Sequence, residues 1–411
     1  MSKILKHPFN RMKYIDTYNL LKNNINYTDD RIIVPGTIEI RNFTFVSNNR
    51  QLLSDDTPDD SFLGYDLRHE TGMAYKMLDV CDIDVEENIK FRYHVFSPIG
   101  TEKAKDIVLM FHGLNEKHWH KYLPWAKYIV DTTGKTVVLF PLAFHMNRAP
   151  EAWSNARLMY EAGNRRKELF PDIVNSSLFN VAISTRIQTR PQRFIWSGLQ
   201  TYHDVIQFID EYKSGDHPFI VPDAKVDVFA YSIGAFLSEI LVMTNHNNYF
   251  EHSKLVMFCG GPVLNRLTPA SKLILDSEAN VALYSFAIEH LNSHLKKDKK
   301  LHHHLRECPE GIIFSSMLNY GIMSDLREER LREIGERLLT ITLKKDSVAP
   351  PYEAINTLQG RYRDIPTRVD IHDFPYPHTH EEPFPALKKI SDEVDAGFRL
   401  VFDEIGVFLN K

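Results

Sequence analysis

A single serine, Ser232, stands between two apolar runs of different period in VDVFAYSIGAFLSEI, Val226 to Ile240. Before it Val226, Val228 and Ala230 alternate with Asp227 and Phe229; after it Phe236, Leu237, Ile240 and Leu241 recur at helical spacing. The change of period predicts that Ser232 lies on a strand-to-helix turn. There its hydroxyl would project above a sheet, with Ala230 and Gly234 small enough to let strand and helix pass closely. The helix that follows would aim backbone N–H groups and the positive end of its dipole at the same place, which suits the oxyanion formed when a serine attacks a carbonyl. A serine at a helix start is also an ordinary cap, so the elements around it have to separate the two readings.

Those elements form a regular series. FRYHVF, DIVLMF, TVVLF, VDVFAY, KLVMFC, LLTITL and VDIHDF are short runs rich in β-branched and aromatic residues, as strands are. HKYLPWAKYIV lies between the second and third, LQTYHDVIQFIDEY precedes the fourth and GAFLSEILVM follows it, all at helical spacing. The alternation predicts an α/β fold with a mostly parallel central sheet and helices on both faces. A last helix is expected from about Pro385, with Leu387, Ile390, Val394, Phe398, Val401, Ile405 and Phe408 in one stripe.

Residues 1–88 read as an N-terminal extension: a short helix from Met12 to Leu21, a strand-like run TIEIRNFTFV, and an acidic loop SDDTPDD expected to be solvated. Residues 89–411 read as the main domain. Within it about 147–196 and 262–334 are far longer than a simple connection needs, and both are expected to be lids or caps.

With this order in place the chain resembles the α/β-hydrolase superfamily, whose nucleophile elbow reads G-x-S-x-G; AYSIG matches it except that Ala230 replaces the first glycine. DIVLMFHGLNEKHWHKYL ends a strand in His112-Gly113, and in the superfamily such a pair opens the oxyanion-hole loop. Carried over, the two backbone donors are those of Leu114 and Ile233. LLTITLKKDSVAPP ends a strand near Asp346, where the superfamily places its triad acid. VDIHDFPYPHTHEEPFPAL supplies the base, with His380 preferred because Pro383 or Pro385 can open the final helix just after it, and His378 as the alternative. His372 falls within the strand-like alternation and is expected to lie too deep. The resemblance therefore implies a serine hydrolase of esters, thioesters or amides, with an acyltransferase or a non-catalytic binding protein as the alternatives.

Composition narrows the partners. Lysine and arginine number 49 against 54 aspartates and glutamates, a formal charge of −5 without the basic excess that a nucleic-acid binder uses. No run of apolar residues is long enough for a signal peptide or a membrane span, so a cytoplasmic protein acting on a small-molecule acyl substrate is expected. Cys81, Cys259 and Cys308 have no pairing or metal-ligand spacing and read as reduced bystanders. His302, His303 and His304 cannot all converge on one ion, because adjacent helix residues point about 100° apart; a solvated face is expected there. Arg148, Trp153 and Arg157 either anchor a substrate group or pack a lid, while Tyr122, Trp125 and Tyr231 read as core or pocket wall. No phosphate loop or dinucleotide fingerprint is present, and the chemistry needs no cofactor.

Overall fold

The computed structural model describes residues 12–53, 78 and 80–411, and the acidic run SDDTPDD lies outside them. Among the described residues nine strands form one sheet: β1 Arg31–Val34, β2 Ile38–Val46, β3 Lys90–Ser97, β4 Ala104–Phe111, β5 Thr136–Leu139, β6 Ile220–Tyr231, β7 Leu255–Phe258, β8 Leu338–Leu343 and β9 Arg368–His372. Their spatial order is β1-β2-β3-β5-β4-β6-β7-β8-β9. The pairs β1–β2, β2–β3 and β3–β5 are antiparallel, and every pair from β5–β4 to β8–β9 is parallel. Residues 31–46 thus add two antiparallel strands to one edge of the sheet.

Alternate residues of the central strands go to opposite faces, and both faces are covered. Ile107, Leu109, Phe111, Val228, Ala230, Leu255 and Met257 belong to one apolar cluster; Val108, Met110, Phe229, Tyr231, Val256 and Phe258 belong to the other. This is why these runs are almost continuously apolar rather than half polar. Among the described residues the α-helices of eight residues or more are α1 Tyr14–Asn24, α2 Tyr122–Thr133, α3 Ala156–Leu169, α4 Val181–Thr189, α5 Arg193–Lys213, α6 Ile233–Thr244, α7 Ser277–Tyr284, α8 Lys299–Arg306, α9 Pro309–Leu318, α10 Ser324–Ile334, α11 Pro351–Leu358 and α12 Ser391–Asn410. On one face α5 and α6 supply Leu199, Phe208, Ile240 and Leu241; on the other α1, α2 and α12 supply Tyr14, Trp125, Phe398 and Phe402.

The final helix starts at Ser391, not near Pro385, after a 3-10 turn at Lys388–Ile390. Pro383 and Pro385 open no helix: Pro383 lies in a bend, and Leu387 N–H donates to the Pro385 carbonyl at 2.8 Å. Phe384 between them is buried against Trp125, Phe258, Phe398 and Phe402, and that aromatic burial outweighs an earlier helical turn. Leu387 is 58% exposed and off the buried stripe, which runs through Val394, Phe398, Val401 and Ile405.

The two long segments pack on one another through buried polar pairs. Arg166 of α3 makes a bidentate pair with Asp276, Nε to Oδ2 at 2.6 Å and Nη2 to Oδ1 at 2.9 Å. Asn180 donates to the Ser271 carbonyl at 2.9 Å and Ser177 to that of Lys272 at 2.5 Å. Both Arg166 and Asp276 are almost fully buried, so removing either partner would strand a charge.

Glu239 of α6 is fully buried, and neither carboxylate oxygen has a hydrogen-bond partner among the described residues. Burial pushes its pKa well above the usual carboxylate range, with Arg327 pulling weakly the other way. Between its unfolded and folded pKa values the native state therefore holds a proton that the unfolded chain has lost, and stability falls as pH rises. Glu239→Gln is expected to remove a slope of up to about 1.4 kcal/mol per pH unit. Urea unfolding of both proteins from pH 5 to 8 checks this: parallel pH profiles would show that Glu239 titrates as an ordinary carboxylate.

Candidate active site

The sheet order reverses between β4 and β6, since their helical connections leave to opposite sides, and such a switch point opens a crevice at the C-terminal strand ends. Ser232 sits there. It follows β6 directly, with φ 56° and ψ −119°, and its carbonyl accepts the first helical bond from Ala235 N–H at 2.9 Å. Few non-glycine residues adopt such a backbone without a reason in the surroundings. The turn is possible because Gly234 has no side chain: a Cβ there would stand 2.8 Å from both the His112 carbonyl and Phe111 Cβ. Ser232 makes no side-chain cap bond to α6, so the capping reading does not describe it.

Its hydroxyl is instead 2.7 Å from Nε2 of His380. Nδ1 of His380 lies 2.8 Å from Oδ2 of Asp346. The other oxygen of Asp346 accepts the N–H groups of Val348 and Ala349, both at 2.9 Å, which orients the carboxylate. An ionised carboxylate can only accept, so Nδ1 carries the proton and Nε2 presents a lone pair to the serine. Asp346 and His380 are each 5% exposed, which shields the chain of bonds from competing water.

His378, two residues away, donates from Nδ1 to the Tyr376 carbonyl at 3.0 Å and packs edge-on against Phe374 and Tyr376. His372 is the last residue of β9 and its Nε2 is 3.1 Å from Glu404. Neither is bonded to Ser232.

The loop after β4 is held by several contacts. His112 is buried and neutral: burial and then the nearby His145 hold its pKa well down, Nδ1–H donates to the Gly113 carbonyl at 2.8 Å, and Nε2 accepts Leu142 N–H at 3.0 Å. Gly113 N–H donates to the Tyr122 hydroxyl at 2.9 Å, and a Cβ on Gly113 would stand 3.1 Å from the Tyr231 ring. Asn115, with φ 61°, donates to the carbonyls of Phe179 and Leu273 at 2.9 and 2.7 Å, tying this loop to both long segments. No acceptor for the backbone N–H of Leu114 or Ile233 is found among the described residues.

Leu114 also lines two cavities. One of about 60 Å³ is lined by Leu114, Ile233, Ile183, Phe194, Phe236 and Phe314 among others. A larger one of about 530 Å³ is lined by Leu114, Lys121, Trp153, Phe179 and Glu382 among others. Trp153 thus borders a cavity, whereas Arg148 is fully buried in an ion pair with Asp204 at 2.7 Å and Arg157 is exposed beside Glu161.

The contacts that three residues make around the site escaped the sequence reading. Tyr231 donates its hydroxyl to the His380 carbonyl and lays its ring along the imidazole at 5.5 Å. Cys259 has its thiol within 4.8 Å of Asp346 and His380, and burial, then the Asp346 charge, push its pKa well up, so it stays protonated. Asn115 is the third. Only the left-handed tendency of asparagine offered a local signal for any of them.

The sheet order and the strained serine elbow define a protein of α/β-hydrolase fold. More particularly, the chain belongs to DUF6051, a family of unknown function, whose model matches residues 12–410. No curated protein matches the sequence. Among solved structures, carboxyl esterase 2 from the mycorrhizal fungus Tuber melanosporum is 11% identical with a TM-score of 0.43, over 77% of this chain and 81% of that one. An esterase from Pyrobaculum calidifontis is 11% identical with a TM-score of 0.44, over 97% and 90%. A thermostable esterase from Pseudomonas putida is 11% identical with a TM-score of 0.45, over 97% and 91%. Among the described residues no helix is long and apolar enough to cross a membrane.

Proposed function

We propose that this protein is a serine hydrolase that cleaves esters of short acyl groups through an acyl-enzyme. The reading is carried by the bonded series Ser232 Oγ, His380 Nε2 and Nδ1, Asp346 Oδ2, on a turn whose next residue, Ile233, has a backbone N–H with no acceptor among the described residues. Ser232 Oγ attacks the carbonyl carbon as His380 takes its proton, and Asp346 stabilises the imidazolium. Leu114 and Ile233 N–H donate to the oxyanion. His380 then returns the proton to the leaving alcohol, water enters, and the same groups release the free acid and restore the serine. Residues 147–196 and 262–334, tied to each other and to Asn115, act as a cap over this chemistry.

The substrate range follows from the smaller cavity. At 10–15 Å³ per water-sized group, its roughly 60 Å³ admits about four to six such groups. Leu114 and Ile233, whose N–H groups would hold the oxyanion, both line it, so it receives the acyl chain. Each methylene that fits contributes about 0.8 kcal/mol, roughly fourfold in kcat/KM. Hydrolysis of p-nitrophenyl esters is therefore expected to peak between acetyl and hexanoyl and to fall at least about tenfold by decanoyl. A protein that cleaves none of the series overturns the hydrolase reading. One that prefers decanoyl or longer keeps that reading and overturns the acyl pocket.

A further inference from the structure

We propose that His304, Cys308 and Glu310 form a binding site for a divalent metal ion of the zinc class, separate from the serine site. The three residues stand where α8 gives way to α9, and their ligating atoms all lie within 4.8 Å of one another. Adjacent histidines could not converge, but His304 and Cys308 are four apart across the helix end, and Glu310 is on the first turn of α9. The approach of the two helices is unusually close: a Cβ on Gly311 would stand 1.7 Å from the His304 carbonyl. Glycine at 311 is thus what allows Glu310 to reach His304.

Two further observations point to a ligand. Nδ1 of His304 is buried and has no hydrogen-bond partner among the described residues, so the imidazole is not committed to another bond through that atom. His203 of α5 directs its Nε2 at Glu310 Oε1, 3.2 Å away, and so brings a second imidazole to the same carboxylate from another element. Tetrahedral zinc with bonds of about 2.0–2.3 Å spaces its ligands roughly 3.5 Å apart, so small side-chain rotations close the set. One sulfur, one carboxylate and one or two imidazoles suit zinc, whereas calcium and magnesium take oxygen alone.

Binding would displace the Cys308 thiol proton to solvent and leave a thiolate on the ion. It would staple the α8–α9 turn to α5 through His203. Phe314, one turn further along α9, lines the smaller cavity, so the ion would also stiffen a wall of that pocket. His303 competes for the cysteine, with Nε2 3.7 Å from its sulfur, but its Nδ1 is held by Glu307 at 2.8 Å.

The test uses the full chain, stripped with a chelator, freed of it, and kept reduced. Titration with cobalt(II) is expected to give one equivalent of binding with a thiolate-to-cobalt charge-transfer band and strong tetrahedral visible absorption, both lost on adding one equivalent of zinc. Cys308→Ser is expected to abolish the charge-transfer band, and His304→Ala to weaken binding at least about tenfold. His302→Ala, at an exposed position, should leave binding unchanged and controls for surface histidines. A wild-type chain without the charge-transfer band overturns the proposal, with no variant required. A band that persists in Cys308→Ser places the ion elsewhere and overturns it equally.

Discussion

Ser232→Ala is expected to lower turnover of the preferred short-chain ester by about 10⁴-fold or more, leaving only what the oxyanion donors and binding can supply. The same variant should lose all labelling by a fluorophosphonate, which the wild-type chain is expected to accept stoichiometrically at this residue. The loss is large because the serine oxygen is the atom that bonds to the substrate, and the unchanged imidazole cannot reach the carbonyl in its place. The fold should survive. Serine already bears the cost of φ 56°, and alanine at that position adds only the loss of one hydrogen bond, about 1 kcal/mol. Thermal unfolding within a few degrees of wild type would establish that the fold is retained. A variant that then keeps a rate within tenfold of wild type would sink the mechanism.

The second large effect separates the two loop histidines. His380→Ala is expected to cost about 10⁴-fold in kcat, because Nε2 is the group 2.7 Å from the serine oxygen and no other imbedded base is bonded to it among the described residues. His378→Ala should stay within about threefold, since that ring is spent on Tyr376 and Phe374. Asp346→Asn belongs to the same chain of bonds: an amide can donate to Nδ1, turning the imidazole into the tautomer that has no lone pair for Ser232, and a loss of about 10⁴-fold is expected. Steady-state rates of the three variants decide it. An inactive His378→Ala beside an active His380→Ala would move the base and leave the serine in place.

Much of this site was legible along the chain because the relevant signals are local. A change of period from two to 3.6 marks the end of β6 and the start of α6 within one residue, and the small residues at 230 and 234 show that the turn is tight. Asp346 follows β8, a run that is buried throughout, whereas the two histidines follow the edge strand β9, recognisable by its alternation rather than by continuous apolar character. Of the two loop histidines, His380 is the one bonded to Ser232, while the expected helix start just after it is not found. The final helix opens at Ser391, eleven residues after His380, because Phe384 is drawn into the aromatic cluster ahead of it.

By itself, then, the amino-acid sequence determined the strands of the parallel sheet, the helices that alternate with them, the serine on its turn and the short list of residues able to assist it, all of which depend on neighbours a few positions apart. Tertiary structure alone decided what joins across long separations. It turned Tyr231 onto the back of His380, set Cys259 against Asp346, and let Asn115 reach carbonyls 64 and 158 residues away. It also gathered His304, Cys308 and Glu310 at a helix crossing that one glycine permits. Side-chain periodicity records which face of an element is buried, but the partner on that face is set by how elements pack, and no local pattern encodes it.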